Sequence, residues 1–155
     1  MNGSQRTPTD VWSSVSAVLF DLDGVITPTA DVHQRAWLEA LSAFAASTDD
    51  YHNFIDGRPR IDGVRGFLRS RDIKLPDGSP DDEPSLTSVH GLAARKNLLF
   101  LQILESEPFS AYPGSLRALD FLEDQGIPFA LVTSSKNAEA VLAGSGLVGR
   151  FPIVV

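Results

Sequence analysis

The run Ala17-Val18-Leu19-Phe20 is followed at once by Asp21-Leu22-Asp23-Gly24. A short apolar run of this kind reads as a buried strand of a parallel sheet. Open α/β sheets build their sites at the carboxyl ends of such strands. Side chains in extended backbone alternate faces, so Asp21 and Asp23 point to one side. Gly24 lets the backbone turn sharply away. Two clustered carboxylates repel, and a hard divalent cation such as Mg2+, which prefers oxygen ligands, offsets their charge. One carboxylate can then attack a phosphoryl group while the other carries a proton.

A bare Asp-x-Asp also marks metal-dependent glycosyltransferases. The strand before it and Gly24-Val25-Ile26-Thr27 after it narrow the field. The stretch Val18 to Thr27 resembles the first motif of the haloacid dehalogenase superfamily of phosphotransferases. The continuation Thr29-Ala30-Asp31-Val32-His33-Gln34-Arg35-Ala36-Trp37 resembles its β-phosphoglucomutase branch.

The rest of the chain reads as an interrupted α/β pattern. Strand one covers about 16–20. A helix starts near Asp31, a good N-cap residue, with Val32, Ala36, Trp37, Ala40, Leu41 and Phe44 as its apolar stripe. Residues 49–59 read as polar and turn-rich, and a short helix as 62–71. Residues 75–84 form an acidic loop with three prolines and no helical option. A long helix spans about 88–105. Tyr112-Pro113-Gly114 reads as a turn, then come a helix over 115–125, a strand over 128–132 and a helix over 137–145. A third strand begins at Phe151. The expected architecture is therefore α/β: a partial, Rossmann-like parallel sheet of about three strands with an inserted helical subdomain. The divisions are a flexible leader over 1–14, a core over 15–28 and 112–155, and a helical insertion over 29–111, which the resemblance identifies as a cap.

Leu131-Val132-Thr133-Ser134-Ser135-Lys136-Asn137 is the second chemical motif. Hydroxyls, an ammonium and the amides that open a helix suit a phosphate group. A Ser-rich helix cap with a solvated lysine is the plainer alternative. In the resemblance, Thr133 matches the hydroxyl that hydrogen-bonds the transferring phosphoryl group. Ser135, Lys136 and Asn137 match residues that hold the substrate's other phosphate. Gly57-Arg58-Pro59-Arg60 resembles the cap segment whose arginine grips that phosphate, with Arg60 the better match and Arg58 the second choice. A guanidinium suits the task because its fork donates two parallel bonds. Arg95-Lys96-Asn97 resembles another cap contact, and a solvated helix face accounts for it equally well. The match places His33 near the hinge as support for the acid–base aspartate.

The resemblance implies a mechanism in roles. Asp21 is the nucleophile and forms an aspartyl-phosphate. Asp23 is general acid, then base. Asp21, Asp23 and the Asp23 carbonyl are directed at Mg2+. Thr133 completes the catalytic set, with substrate contacts from His33, Arg60, Lys96, Asn97, Ser135, Lys136 and Asn137. The substrate is a small phosphorylated sugar, and the reaction is that of a mutase or a phosphatase. The superfamily's later lysine and acidic pair have no match here. This implies an incomplete unit, inactive in isolation, whose strand-one edge is open to self-association. Pro28 also departs from the aspartate common at that place. The alternative function is a noncatalytic phosphosugar-binding or interaction fragment.

Composition bounds the partners. In 155 residues, 13 basic and 20 acidic side chains give a net charge of −7. This disfavours nucleic acid and anionic membranes. With no cysteine, disulfides and thiolate metal sites are excluded. No apolar run reaches membrane-spanning length, and a cytoplasmic location follows as the default expectation.

Overall fold

The computed structural model describes residue 12 and residues 14–155. The leader expected over 1–14 lies outside the described residues except for Trp12, whose ring meets Phe121 at 5.4 Å, and Ser14. The chain separates into two compact units, one of the residues up to Thr27 with Ser110–Val155, the other of Pro28–Phe109.

In the α/β unit, strand β1 (Val18–Phe20) pairs in parallel with β2 (Phe129–Leu131), Leu19 opposite Ala130. Val18 N donates to Pro128 O at 2.9 Å and Val132 N to Phe20 O at 2.8 Å, which extends the ladder past both ends. The third strand expected from Phe151 is reduced to a parallel bridge between Leu131 and Val154. Its bonds are still those of a ladder: Leu131 N to Ile153 O at 3.0 Å and Thr133 N to Val155 O at 2.8 Å. β2 thus has a partner on each side, and all three of its residues are buried. β1 has one partner among the described residues, and its Leu19 is 70% exposed. The rings of Phe20, Phe129 and Phe151 pack edge to face between these segments.

Helix α4 (Pro113–Asp124) begins two residues before the sequence suggested. Pro113 occupies its first position, where a proline's fixed φ and missing N–H cost nothing. Gly126 ends it at φ 63°, the left-handed conformation a helix stop favours. Helix α5 (Ala138–Gly144) is short and buries Val141 and Leu142.

The helical unit contains α1 (Thr29–Ala40), α2 (Arg60–Ser70) and α3 (Val89–Ser106). α1 starts before Asp31, with Pro28 in the N-cap place and no side-chain cap. Asp31 instead turns to Arg35, with Nε 3.0 Å from Oδ2. The turn-rich reading of 49–59 is corrected. Thr48–Asp50 is helical and runs into a π-helical turn at Tyr51–Ile55. The overlooked signal was Ser47-x-x-Asp50, a reciprocal capping box that satisfies the first free amides of a helix. Tyr51 and Ile55, four residues apart and so on one face, then join the core with Trp37, Leu41, Val64, Phe67, Leu68 and Leu92. The acidic loop is irregular as expected, and Ser88 caps α3 by accepting from Gly91 N at 2.9 Å. Among the described residues, no helix is long and apolar enough to cross a membrane.

Candidate active site

β1 and β2 run parallel, so their carboxyl ends lie side by side. Asp21 follows one and Thr133 the other, and both line a depression of about 410 Å³ with Leu19, Phe20, Val132 and Ser134. Leu22 is fully buried, whereas Asp21 is exposed and Asp23 half-exposed. That alternation keeps both carboxylates off the core.

The backbone behind them is tightly wound. Leu22 O accepts from Ile26 N at 3.0 Å and Thr27 N at 3.1 Å, and Gly24 N donates to Thr27 O at 2.7 Å. Gly24 has φ 78°, where a Cβ would crowd the following carbonyl. Asp21 Oδ1 accepts from Leu22 N at 2.8 Å. Its Oδ2 has no hydrogen-bond partner among the described residues.

The second motif differs from the expected corner of helix amides. α5 does not begin until Ala138, and two intervening amides are already used. Ser135 N donates to Thr133 Oγ1 at 3.1 Å, and Asn137 N to Ser135 Oγ at 3.3 Å. These bonds leave the Thr133 and Ser135 hydroxyl protons available to a ligand. Lys136 is exposed and has no ion-pair partner among the described residues.

Other sequence candidates fall in the helical unit. Lys96 is not on a solvated face: it is 1% exposed, and its Nζ lies 2.7 Å from His33 Nδ1. The Phe100 ring lies 4.5 Å from that ammonium and 4.2 Å from the imidazole. Asn97 is half-buried on the same helix. Arg60 opens α2, half-buried and without an ion-pair partner among the described residues; burial holds its guanidinium below the ordinary arginine range. Arg58 is instead exposed and donates to Asn53 O at 3.1 Å. The structure therefore brings Asp21 to Thr133 in one unit and His33 to Lys96 in the other.

Asp21 and Asp23 are hard oxygen donors of the kind a divalent cation takes. Among the described residues, no group of three or more His, Cys, Asp or Glu gathers around a metal position. Two carboxylates are by chemistry a partial ligand set for such an ion. Sequence reasoning missed Ser134, which lines the depression, and the Arg35–Glu107 pair, whose partners are 72 residues apart.

A haloacid dehalogenase-like hydrolase family model matches residues 15–155. The β-phosphoglucomutase of Mycobacterium tuberculosis is 42% identical over 147 residues, covering 86% of this chain and 56% of that protein. Hexitol phosphatase A of Escherichia coli is 28% identical over 117 residues, covering 75% of this chain and 47% of the relative. A crystal structure of β-phosphoglucomutase from Clostridium difficile superposes with a TM-score of 0.73 at 24% identity, over 90% of this chain and 60% of that one. At that identity the likeness speaks for the fold. The chain spans about half the length of the curated relatives it matches.

Proposed function

This chain belongs to the haloacid dehalogenase-like hydrolases, and we propose that it serves phosphoryl transfer on a small phosphosugar. The observation that carries this is the placement of Asp21 and Thr133 on one depression at the carboxyl ends of two adjacent parallel strands. A relative that is a β-phosphoglucomutase and another that is a hexitol phosphatase support the substrate class.

In this reading an Asp21 carboxylate oxygen attacks the substrate phosphorus. The bond from phosphorus to the leaving oxygen breaks as Asp23 gives that oxygen a proton. A sugar hydroxyl or water then attacks the aspartyl-phosphate, and Asp23 takes its proton back. Thr133 donates to a phosphoryl oxygen, where positioning and electrostatic stabilisation carry most of the rate. Asp21 and Asp23 would hold Mg2+, which neutralises phosphoryl charge. The helical unit contributes Arg60, and with it Lys96, Asn97 and His33, to substrate recognition or support. Ser135, Lys136 and Asn137 serve the second phosphate. A substrate with two phosphates favours the mutase over the phosphatase.

The test, made in a chain that also carries the superfamily's later lysine and acidic pair, is turnover of β-glucose 1-phosphate and of a generic aryl phosphate with Mg2+, before and after Asp21→Asn. An amide cannot form the acyl-phosphate, so a folded variant should lose both activities. Unchanged phosphate release by a variant with native circular dichroism would overturn the assignment.

A further inference from the structure

We propose that Gly66 is a positioning residue for Arg60: its missing side chain lets the π-helical turn seat against α2, and that turn sets where α2, and with it Arg60, begins. The proposal rests on the phosphosugar reading, in which Arg60 grips a second phosphate.

Glycine inside a helix is unfavourable, because it loses more backbone freedom than alanine and has no side chain to pack. α2 nevertheless buries two glycines, Gly63 and Gly66, three residues apart and so on one face. That face lies against the π-helical turn Tyr51–Ile55. A Cβ at Gly66 would stand 3.1 Å from the Phe54 carbonyl oxygen, closer than ordinary contact, so the neighbour would have to yield by a few tenths of an ångström. A Cβ at Gly63 would meet Ile55 Cα and Cγ2 at 3.4 Å, the edge of ordinary van der Waals contact. Of the two, position 66 is the one that resists a methyl group, and what resists it is backbone.

The Phe54 carbonyl belongs to the last turn before the chain leaves for Arg60. Asp56 N donates to Tyr51 O at 2.9 Å, the five-residue bond of a π-helix. Tyr51 Oη donates to Asp56 Oδ1 at 3.2 Å across the same ring. Gly57 then turns the chain at φ 69°. Arg58 N returns to Ile55 O at 3.1 Å, and Gly63 N donates to Pro59 O at 3.0 Å. α2 has no side-chain cap, so these main-chain bonds fix where its first residue stands. The Phe54 carbonyl shares a planar peptide unit with Ile55 N and Cα. Displacing it moves Ile55, and the shift passes through the Arg58 amide to the start of α2. A guanidinium fork binds with direction as well as charge, so a small shift at its stem is felt at its tip.

Hydrogen exchange of the Asp56 amide in the full chain reads the turn without turnover. Gly66→Ala should speed it by about fivefold, and Gly63→Ala should leave it at the wild-type rate. Turnover is read in a chain that also carries the superfamily's later lysine and acidic pair. There Gly66→Ala should lower kcat/KM for β-glucose 1-phosphate by about tenfold and leave an aryl phosphate within about twofold. In an Arg60→Ala background the same change should cost nothing further, because the group it misplaces is gone. Wild-type exchange at Asp56 in Gly66→Ala would overturn the proposal. So would an equal loss on both substrates, or a loss that persists at full size without Arg60, since either means damage to the fold. If Arg60→Ala lowers sugar-phosphate turnover and Gly66→Ala does not, the proposal alone falls. If Arg60→Ala leaves both substrates untouched, the reading of Arg60 falls and takes the proposal with it.

Discussion

Lys96 Nζ lies 2.7 Å from His33 Nδ1, an ammonium that is 1% exposed meeting an imidazole stacked on Phe100. An ammonium has donors only, so against a charged Lys96 the imidazole Nδ1 is the acceptor.

His33→Ala removes an acceptor from a buried ammonium and a ring from Phe100. A lost hydrogen bond to a buried charged group costs about 1.5–3 kcal/mol, so urea unfolding should show a loss in that range. Lys96→Met removes the charge with its partner's bond and keeps the aliphatic packing, so it should cost less. A larger loss for Lys96→Met than for His33→Ala would show that the ammonium is held chiefly by other groups.

Gly78 has φ 75°, and a Cβ there would overlap the Asp82 carboxylate and the Ser88 hydroxyl. Ser88 caps α3 and donates to Asp82 Oδ2, so the clash reaches the helix start. Left-handed backbone costs a non-glycine residue about 1–2 kcal/mol, and loss of a cap about 1 kcal/mol. Gly78→Ala should therefore lower stability by about 2–3 kcal/mol. Gly57 has φ 69° with nothing within 4 Å of its Cβ position. Gly57→Ala should lose only the backbone part, about 1–2 kcal/mol. Equal losses in the two variants, measured by urea denaturation, would remove the clash from the explanation.

Much of this fold is legible in the chain because local signals agree. The apolar runs before Asp21 and Thr133 specify strands, and Gly126 and Gly146, both with positive φ, specify helix ends. Val64, Phe67 and Leu68 are spaced for one helical face, and all three are buried. The misses have local causes too. Residues 48–55 carry mostly polar side chains, and their helicity follows from the Ser47–Asp50 box and from burial of Tyr51 and Ile55, which is a tertiary matter. The Asp21 and Thr133 neighbourhood could be anticipated because parallel strands bring their ends together. The contacts of Lys96 with His33, and of Arg35 with Glu107, span 63 and 72 residues. No periodicity within one helix encodes such pairs.

Acid should weaken the helical unit through Asp50. Its carboxyl is held below the ordinary value of 3.8 by the Ser47 hydroxyl and amide, and then by Arg71. Arg71 Nη2 approaches Oδ2 at 2.6 Å. A carboxyl lowered in the folded state binds its proton less readily there than when unfolded. Its stabilising effect is complete above about pH 4 and fades as pH falls below that value. The melting temperature should drop with acid over that range, and Asp50→Asn should flatten part of the slope while lowering stability at neutral pH. An identical slope in wild type and Asp50→Asn would exclude Asp50 as a source.

Arg60 and Arg58 should separate in function as they do in structure. Arg60 is half-buried at the start of α2, with burial pressing on its charge. Arg58 is exposed and spends a guanidinium nitrogen on the Asn53 carbonyl. If Arg60 grips the nonreacting phosphate, then in a chain that also carries the superfamily's later lysine and acidic pair Arg60→Ala loses a charge-assisted bond worth about 1.5–3 kcal/mol, or roughly 10- to 100-fold in kcat/KM. That loss should appear with a sugar phosphate that becomes a bisphosphate during turnover. It should be nearly absent with an aryl monophosphate, which has no second phosphate to hold. Arg58→Ala should leave the ratio of the two activities unchanged, because its partner is backbone. Matched losses on both substrates in Arg60→Ala would mean that the arginine supports the fold and not the second phosphate.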